Sequence, residues 1–443
     1  MMIDQLEHES KTIKDIIDVD YRSYAMYVLE NRAIPSYIDG MKPVHRKLFY
    51  AMLTEHKGKK TKVADLGGIS KYGYHHGEGS ACSAAVTITA DWNNNVPLFN
   101  GHGNFGSRLI QEAAAPRYIF ASLNPDIEKI FIDYEVCDVH EDAEDHPEPK
   151  TYLPIIPWVL VNGIEGIAVG FACRYLAHLP SDIAKACILE LNGKLKDDHV
   201  IPVTFPGFKG SVVQDTPNRV ITKGVVTRTK RNTWEISEVP WGFDRESMIN
   251  LLEKLTDDGK IDDYDENCDD SGFNFTIKMN SAMDAKCAKD PIAHLKLERA
   301  YSENYTALDE HGKLRLFESK IDIIRAFVKY RLGKVAEMIK YDLNAILVDI
   351  EWSLRKQAFI TDVVTNKIKL QTKSRSEWVI DFAARYKTNQ TDSNRLLAIS
   401  MFECTQDSID KLSAKLVELN AEKARLESLV PTEVYKRQLS SIR

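Results

Sequence analysis

Residues 101–118 read GHGNFGSRLIQEAAAPRY, and this stretch decides how the whole chain is interpreted. The glycines in its first six positions allow tight turns and close backbone approach. Arg117 places a permanent cation, with a fork that matches phosphate, directly before the phenol of Tyr118. Phosphoryl transfer needs an in-line nucleophile and fixed positive charge around the phosphate oxygens. The stretch therefore predicts a tyrosine nucleophile; on local features alone, an ordinary amphipathic ring stays open, because the chain has 18 tyrosines.

Length and composition are those of an ordinary globular protein. The 443 residues are enough for two to four domains, and 44% of them are hydrophobic. No run of about 18 apolar residues is present, so we expect no membrane span; the polar start lacks the apolar core of a secretory signal. The seven cysteines are scattered and contain no Cys-x-x-Cys pair. Reduced, buried cysteines of a cytoplasmic protein are expected, with neither disulfides nor a zinc site.

The charge distribution is more informative than the formal net charge of -7. Nine Lys, Arg and His residues lie between residues 42 and 62, with Glu55 as the only acid. Acidic residues concentrate instead in residues 141–148 and 257–270. One basic region with remote acidic loops favours a protein that binds nucleic acid on one face. A solvated basic helix and loop is the alternative.

The N-terminal part predicts three helices followed by a hairpin. Helical spacing of apolar residues covers 18–31, and a second helix begins near Pro43, since proline suits a first helical position. A small-residue helix is predicted over 80–92, followed by a glycine-turned hairpin near 100–105. This order is typical of a winged-helix module, although many helical domains share it.

The pattern of apolar residues, proline and glycine changes in the middle of the chain. Residues 152–180 are apolar runs broken by proline and glycine, which predicts a buried platform of strands or short helices. Residues 200–279 contain period-two segments, including a hairpin over 224–240, and enclose an amphipathic helix at 245–255. An α+β domain is therefore expected.

The last third is helical. A long helix is predicted over 319–364, and apolar residues between 409 and 426 recur in steps of three and four before Pro431. With a helical knot over 367–403 between them, the two helices would form an antiparallel coiled coil whose tip contacts a second copy. An ordinary helical bundle is the alternative.

Together these segments resemble the breakage-and-reunion subunit of type IIA DNA topoisomerases, the family of bacterial gyrase A, and within it the phage-encoded members of the T-even kind. The resemblance covers most of the chain in the family's order. The matching motifs are YAMYVLENRAIPSYIDGMKPVHRKLFYAM at 24–52, KYGYHHGEGSA at 71–81, GHGNFGS at 101–107, AAAPRY at 113–118, LPIIPWVLVNGIEGIAVGFA at 153–172 and ISEVPWGFDRESMINLLEKL at 236–255.

The resemblance implies an α+β multidomain fold in three parts. A winged-helix DNA-cleavage domain with an N-terminal helix would cover residues 1–150, and a platform with an α/β tower domain would cover 151–318. A long antiparallel coiled coil with a helical dimerisation tip would cover 319–443.

The resemblance also assigns residues. Tyr118 would attack the scissile phosphate and form a 5′-phosphotyrosyl link, assisted by Arg117, Arg32 and His76. Ile167 would be an apolar wedge between base pairs. The remaining DNA-binding residues implied, most of them contacting the backbone, are Lys42, His45, Arg46, Lys47 and His75. His102 and Pro116 depart from the gyrase pattern, and Pro116 is expected to change how the helix after Tyr118 begins.

Cofactors and partners follow from the same resemblance. The chain has no phosphate-binding Gly-x-x-x-x-Gly-Lys loop and no acidic motif like the family's metal site, so ATP and Mg²⁺ are expected on an ATPase/Toprim partner. The expected assembly is a heterotetramer on double-stranded DNA, in a bacterial cytoplasm, with a homodimer closed through the coiled-coil tip. Because nothing after the coiled coil resembles a DNA-wrapping domain, relaxation and decatenation are expected instead of negative supercoiling. A catalytically silent DNA-bending dimer and a tyrosine recombinase are the alternatives.

Overall fold

The computed structural model describes residues 12–140, 146–369 and 372–442. The first eleven residues and five residues of the predicted acidic run at 141–148 therefore lie outside the described part. The chain divides into two compact units, Met1–Arg331 with Lys436–Arg443, and Leu332–Tyr435. The secondary structure is mixed, and the three-domain division stays a prediction.

Fifteen α-helical segments occur in the described residues. They are α1 (Ile13–Asp15), α2 (Arg22–Val28), α3 (Pro43–Thr54), α4 (Val63–Leu66), α5 (Glu78–Thr89), α6 (Pro125–Ile130), α7 (Pro180–Leu191), α8 (Arg245–Asp257), α9 (Ser281–Cys287), α10 (Pro291–His294), α11 (Lys320–Val364), α12 (Arg375–Tyr386), α13 (Gln390–Leu397), α14 (Gln406–Glu427) and α15 (Pro431–Ser440).

Fourteen strands accompany them in the same residues. They are β1 (Thr61–Lys62), β2 (Phe99–His102), β3 (Phe120–Leu123), β4 (Ile164–Ile167), β5 (Ala172–Tyr175), β6 (Ser211–Thr216), β7 (Arg219–Lys223), β8 (Val225–Lys230), β9 (Thr233–Glu238), β10 (Asp263–Glu266), β11 (Phe275–Lys278), β12 (Glu298–Ser302), β13 (Thr306–Leu308) and β14 (Leu314–Leu316). The sheets run in the orders β1-β3-β2, β10-β11-β9-β8, β12-β7-β6, β13-β14 and β4-β5.

The first helix is longer than predicted. Helical backbone runs from α1 through α2, with π-helical turns at Ile16–Tyr21 and Leu29–Ala33. Of the apolar residues that predicted it, only Leu29 is buried, while Tyr21 and Met26 are exposed. The predicted helix is thus confirmed, but most of its apolar side chains do not enter the core of this chain.

Helix α3 is the centre of the N-terminal core. It begins at Pro43 as predicted, because the fixed φ of proline and its missing N–H suit the first helical position. Leu48, Phe49 and Met52 are fully buried. The Phe49 ring meets that of Tyr152 edge-on, with centroids 4.8 Å apart.

The sheet β1-β3-β2 corrects two expectations. The glycine-rich stretch does not turn a hairpin near residues 100–105, since β2 pairs with β3, and residues 103–119 form the loop between them. At Gly103, which has a φ of 114°, a Cβ would come within 2.9 Å of the Ile119 side chain. The glycine therefore permits close packing and a left-handed backbone in place of a tight hairpin turn. A strand, and not a helix, follows Tyr118.

The middle of the chain forms the expected α+β region. The predicted hairpin is confirmed as β8 and β9, and the amphipathic helix is confirmed as α8. Met248, Leu252 and Leu255 of α8 pack with Trp234 and Phe275 in one core. The helix buries one face because apolar residues recur every three or four positions.

The unit Leu332–Tyr435 contains most of α11 together with α12, α13 and α14. Phe359, Trp378 and Phe382 anchor its core. The Gln357 amide donates to the Ser413 hydroxyl at 2.6 Å, which brings α11 and α14 together. Helix α14 ends at Glu427, shortly before Pro431, which begins α15.

All seven cysteines are free thiols, four of them buried and three half-buried. No helix in the described ranges is long and apolar enough to cross a membrane.

Candidate active site

Tyr118 lies in a tight turn before β3. The Tyr118 N–H donates to the Ala115 carbonyl at 2.9 Å, which closes the turn. The Ala64 N–H donates to the Pro116 carbonyl at 3.3 Å, so the turn is also fixed from outside. Ile119 is buried while Tyr118 is 67% exposed. A rigid backbone thus presents a phenol that has no side-chain hydrogen bond to any residue the structure describes.

Arg117 stands beside that phenol. Its guanidinium carbon lies 4.7 Å from the centre of the Tyr118 ring, within the range of a cation–π contact. The side chain is exposed and forms no ion pair with a described residue. A permanent cation and a hydroxyl nucleophile are therefore next to each other, and both face solvent.

Part of the basic region joins the same sheet. Lys62 of β1 is paired with Phe120 of β3, two residues after Tyr118. The Lys60 ammonium lies 5.0 Å from the centre of the Phe120 ring. The sequence showed these lysines but not their place beside the tyrosine, because a two-residue strand gives almost no periodic signal.

Arg32 is the second exposed arginine of interest. It belongs to the π-helical turn Leu29–Ala33 and has no ion-pair partner in the described ranges. It lines a cleft of about 580 Å³ together with Lys42, His45 and Glu165. The structure therefore brings three predicted residues together there.

Lys42 and His45 are less available than Arg32. The Lys42 ammonium donates to the Glu165 backbone carbonyl at 2.8 Å, and burial lowers the pKa of this lysine. Burial also lowers the pKa of His45 to about 3, with the nearby charges of Lys42 and Arg46 adding to the effect. His45 is therefore a neutral imidazole at physiological pH and is not a phosphate-binding cation.

Arg46 is also bound within the chain. It is 8% exposed, and its Nε donates to Asp39 Oδ2 at 2.7 Å. Its Nη2 donates to the Met41 carbonyl at 2.8 Å. Asp39 also accepts the Tyr152 N–H at 3.0 Å, so the pair joins distant segments. The contact of Arg46 with a nucleic-acid backbone stays a prediction, and in this structure a buried carboxylate binds its guanidinium.

Lys47 shows the same behaviour. Its ammonium lies 2.6 Å from Glu148 Oε2 and also donates to the Tyr72 carbonyl. Burial raises the pKa of the Glu148 carboxyl, and the charge of Lys47 opposes that rise. The DNA-backbone contact of Lys47 stays a prediction, and in this arrangement its ammonium joins two segments of the fold.

The two histidines lie in the turn before α5. His75 is exposed and His76 is half-buried. The His76 ring stands edge-on to the Tyr74 ring, with centroids 5.0 Å apart. Both histidines line a second, larger cleft, which also includes Arg46 and Lys47. Neither histidine has an ion-pair partner in the described part of the chain.

Ile167 ends strand β4 in a two-stranded hairpin with β5. It is 78% exposed, and the Ala168 N–H donates to the Phe171 carbonyl at 2.9 Å across the hairpin tip. Apolar residues in such runs are usually buried. An isoleucine presented at a hairpin tip therefore suits contact with another molecule.

Arg117 and Tyr118 line neither cleft. In residues 12–140, 146–369 and 372–442, no group of three His, Cys, Asp or Glu side chains could hold a metal ion. The acids of residues 257–270 instead form surface pairs such as that of Asp265 with Lys278.

Comparisons with known proteins agree on one family. The family model for the A subunits of DNA gyrase and topoisomerase IV matches residues 32–441. The DNA topoisomerase medium subunit of Enterobacteria phage T4 is 35% identical, over 99% of this chain and 100% of that protein. The mitochondrial DNA topoisomerase 2 of Dictyostelium discoideum is 29% identical over 99% of this chain, which spans only 36% of that enzyme.

A solved structure extends the comparison to the fold. The DNA-binding, cleavage and re-ligation domain of Plasmodium falciparum topoisomerase II superimposes with a TM-score of 0.86 at 25% identity. The match covers 97% of this chain and 63% of that chain.

Proposed function

The chain belongs to the family of DNA gyrase and topoisomerase IV A subunits, and from this premise we propose that it cleaves and religates DNA by forming a 5′-phosphotyrosyl link through Tyr118, within an ATP-dependent type II DNA topoisomerase. The observation that carries the proposal is the turn at Arg117 and Tyr118. There a rigid backbone exposes 67% of a tyrosine beside a guanidinium that forms no ion pair with any described residue.

The proposed reaction exchanges one phosphorus–oxygen bond for another. The Tyr118 phenolic oxygen loses its proton and attacks the scissile phosphorus. The bond from phosphorus to the 3′ oxygen breaks, and that oxygen takes up a proton and leaves as a hydroxyl. Because the phosphotyrosyl link retains the free energy of the phosphodiester, attack by the 3′ hydroxyl reseals the strand without an external energy source.

Positive charge must accompany the reaction, because negative charge is spread over the phosphate oxygens in the transition state. Arg117 is proposed to bind those oxygens, since its guanidinium lies over the Tyr118 ring and has no carboxylate partner in the described residues. Arg32 and His76 are proposed to contact the same phosphate. Mg²⁺, held mainly by the partner subunit, would supply further charge stabilisation when bound.

DNA binding is proposed to use exposed cations that have no ion-pair partner among the described residues. Lys59, Lys60 and Lys62 are exposed and form no ion pair with a described residue, which makes them better candidates for phosphate contacts than Arg46 or Lys47. His75 joins this set. Ile167 is proposed as the wedge that enters between base pairs and bends the duplex.

The larger architecture follows from family membership. The N-terminal helices with the sheet β1-β3-β2 are proposed to be the winged-helix module, and the α+β region to be the tower. Helices α11 and α14 are proposed to form the antiparallel coiled coil. Phe402, between α13 and α14, is 94% exposed, which supports a homodimer contact at the coiled-coil tip.

The proposed assembly is a heterotetramer of two such chains with two ATPase/Toprim subunits that bind ATP. It would pass one duplex through a double-strand break in another, relaxing and decatenating circular DNA. The match to the whole of the phage T4 medium subunit supports an assembly from separate subunits.

The test combines this chain with its ATPase/Toprim partner, Mg²⁺, ATP and catenated circular DNA. Tyr118→Phe is expected to bind DNA normally but to give neither decatenation nor protein-linked breaks after detergent quenching. Tyr341→Phe is the matched control, because Tyr341 is also exposed but lies in α11. Protein-linked breaks from Tyr118→Phe would identify another nucleophile. If wild type also only bends and binds DNA, the silent-scaffold alternative replaces the proposal.

A further inference from the structure

The hairpin that carries Ile167 makes a direct backbone contact with the segment that carries Arg32. Gly166, the residue before Ile167, is buried and packs on the Ala33 carbonyl. A Cβ at Gly166 would lie 2.1 Å from the Ala33 oxygen and 3.1 Å from Cys173 Sγ. Ordinary contacts begin near 3.4 Å, so any side chain would force the two segments apart by roughly 1 Å.

Ala33 is the immediate neighbour of Arg32. It ends the π-helical turn Leu29–Ala33 and is 6% exposed, and the next residue, Ile34, is fully buried. The chain is therefore held firmly after Ala33 but is exposed at Arg32. A displacement of the Ala33 carbonyl would be transmitted mainly to Arg32, because close-packed interiors relax little.

The base of the hairpin is fixed by polar contacts as well. Lys42 donates to the Glu165 carbonyl at 2.8 Å, and the Glu165 side chain pairs with Arg174. The Arg174 backbone exchanges two hydrogen bonds with Asn304, both of 2.9 Å. At the tip, Ile167 and Phe171 expose apolar side chains that can meet another molecule.

We infer that Gly166 and Lys42 are positioning residues that couple the insertion of Ile167 to the placement of Arg32. The inference rests on the proposed function, in which Ile167 is the wedge and Arg32 contacts the scissile phosphate. DNA that contacts Ile167 pushes on the hairpin of β4 and β5. Gly166 transmits this displacement to Ala33 through their direct contact. The hydrogen bond from Lys42 to Glu165 keeps the base of the hairpin in place.

This role differs from the backbone contact predicted for Lys42. If a lysine neutralises a phosphate, its removal reduces the magnitude of the slope of log affinity against log salt concentration by about 0.9. A lysine that braces the hairpin leaves the slope unchanged and lowers cleavage instead. Lys42→Met retains most of the aliphatic stem and removes only the ammonium, so it separates the two roles.

The experiment uses the complete complex with its ATPase/Toprim partner. DNA bending is followed by energy transfer between the ends of a short duplex, affinity by anisotropy at several salt concentrations, and cleavage by detergent-trapped covalent complex. The variants are Gly166→Ala, Lys42→Met and Ile167→Ala. Gly333→Ala is the matched control, since a Cβ there meets no atom within 4 Å.

The expected result is a separation of bending from cleavage. Gly166→Ala should bend and bind DNA within about twofold of wild type, yet trap roughly 10- to 100-fold less covalent complex, the effect of a misplacement near 1 Å. Lys42→Met should lower covalent complex roughly fivefold with an unchanged salt slope. Ile167→Ala should lose bending and cleavage together.

Two results with Gly166→Ala overturn the coupling: loss of bending together with cleavage, or cleavage at the wild-type level. Full cleavage by an Ile167→Ala complex that no longer bends DNA overturns it as well. Unchanged bending by Ile167→Ala instead defeats the wedge assignment of the proposed function. If Gly166→Ala fails to fold, Lys42→Met decides, because a reduced salt slope with proportionate loss of affinity makes Lys42 a phosphate contact.

Discussion

Arg46 in helix α3 and Arg117 in the turn before β3 were both expected to meet a phosphate group, but their surroundings differ. Arg46 is 8% exposed and hydrogen-bonded to Asp39, while Arg117 is exposed and contacts only the Tyr118 ring among charged or aromatic partners in the described residues. Whether an arginine is available to bind phosphate therefore depends on whether a carboxylate already pairs with it. The number of cations along the sequence does not give that information.

The contrast extends to the neighbouring residues. In α3, Lys47 is paired with Glu148 and His45 is held neutral. Around β3, the exposed lysines at 60 and 62 have no such partner in the part of the chain that the structure describes. The first region uses its charges to hold the fold together, and the second keeps them available.

The sharpest way to break this comparison is to remove the internal arginine. Arg46→Met should lower the free energy of unfolding by about 3–5 kcal/mol, because it leaves the Asp39 carboxylate buried without its partner. Urea unfolding followed by tryptophan fluorescence measures the loss. The double variant Arg46→Met with Asp39→Asn should recover part of it. Unchanged stability with weaker DNA binding would instead place Arg46 at the DNA.

Removing the exposed arginine should have the opposite signature. Arg117→Ala should lower the yield of covalent DNA complex about 10²- to 10³-fold, the range for losing one preorganised contact to transition-state charge. Its free energy of unfolding should change by less than about 0.5 kcal/mol, since no buried partner is left behind. Detergent trapping of the covalent complex and urea unfolding, done on the same preparation, test these two expectations. Arg117→Lys, which retains the charge without the fork, is the graded control.

The neutral state of His45 gives a pH test of the same region. Its folded pKa, near 3, lies below its ordinary value of about 6.5. The unfolded chain therefore takes up a proton first as pH falls, and stability is lost progressively below about pH 6.5. Relative to His45→Gln, wild type should lose about 2 kcal/mol between pH 7 and pH 5. Parallel stability curves would mean that burial and the nearby charges of Lys42 and Arg46 do not keep this imidazole neutral.

The smallest expected effects distinguish two lysines. Lys62→Gln should weaken DNA binding a few-fold and reduce the salt slope by about 0.9, whatever the sequence of the duplex. Lys47→Gln should leave the slope unchanged and instead lower the unfolding midpoint, because Glu148 loses its partner. Affinity titrations at four salt concentrations separate them. Equal slopes for both variants would remove the distinction between the regions.

Strong local patterns predicted much of the fold. Helices α3 and α11 and the hairpin β8–β9 follow from apolar periodicity and from proline at a helix start. The site motif around Tyr118 was also visible, because its residue types are themselves the chemistry. These features depend on neighbours within a few positions, which a single sequence contains.

Long-range partners were not predictable in the same way. Glu148, which binds Lys47, is 101 residues away, and β3 pairs with β2 across a loop of 17 residues. Neither separation leaves a periodic signal. The strand after Tyr118 belongs to the same class. Its burial alternates, with Ala121 and Leu123 buried, which is the pattern of a strand. The sequence does not show that alternation, because Phe120 and Leu123 are both apolar.

Most of the free thiols of this chain are expected to react slowly with alkylating reagents. Burial raises the pKa of Cys173 and of Cys287 to about 11, and it raises those of Cys82, Cys268 and Cys404 as well. The thiolate is the reactive species. Maleimide dyes should therefore modify these five thiols slowly in the folded chain, so that a fluorophore can be attached at a newly introduced surface cysteine while the five remain in place.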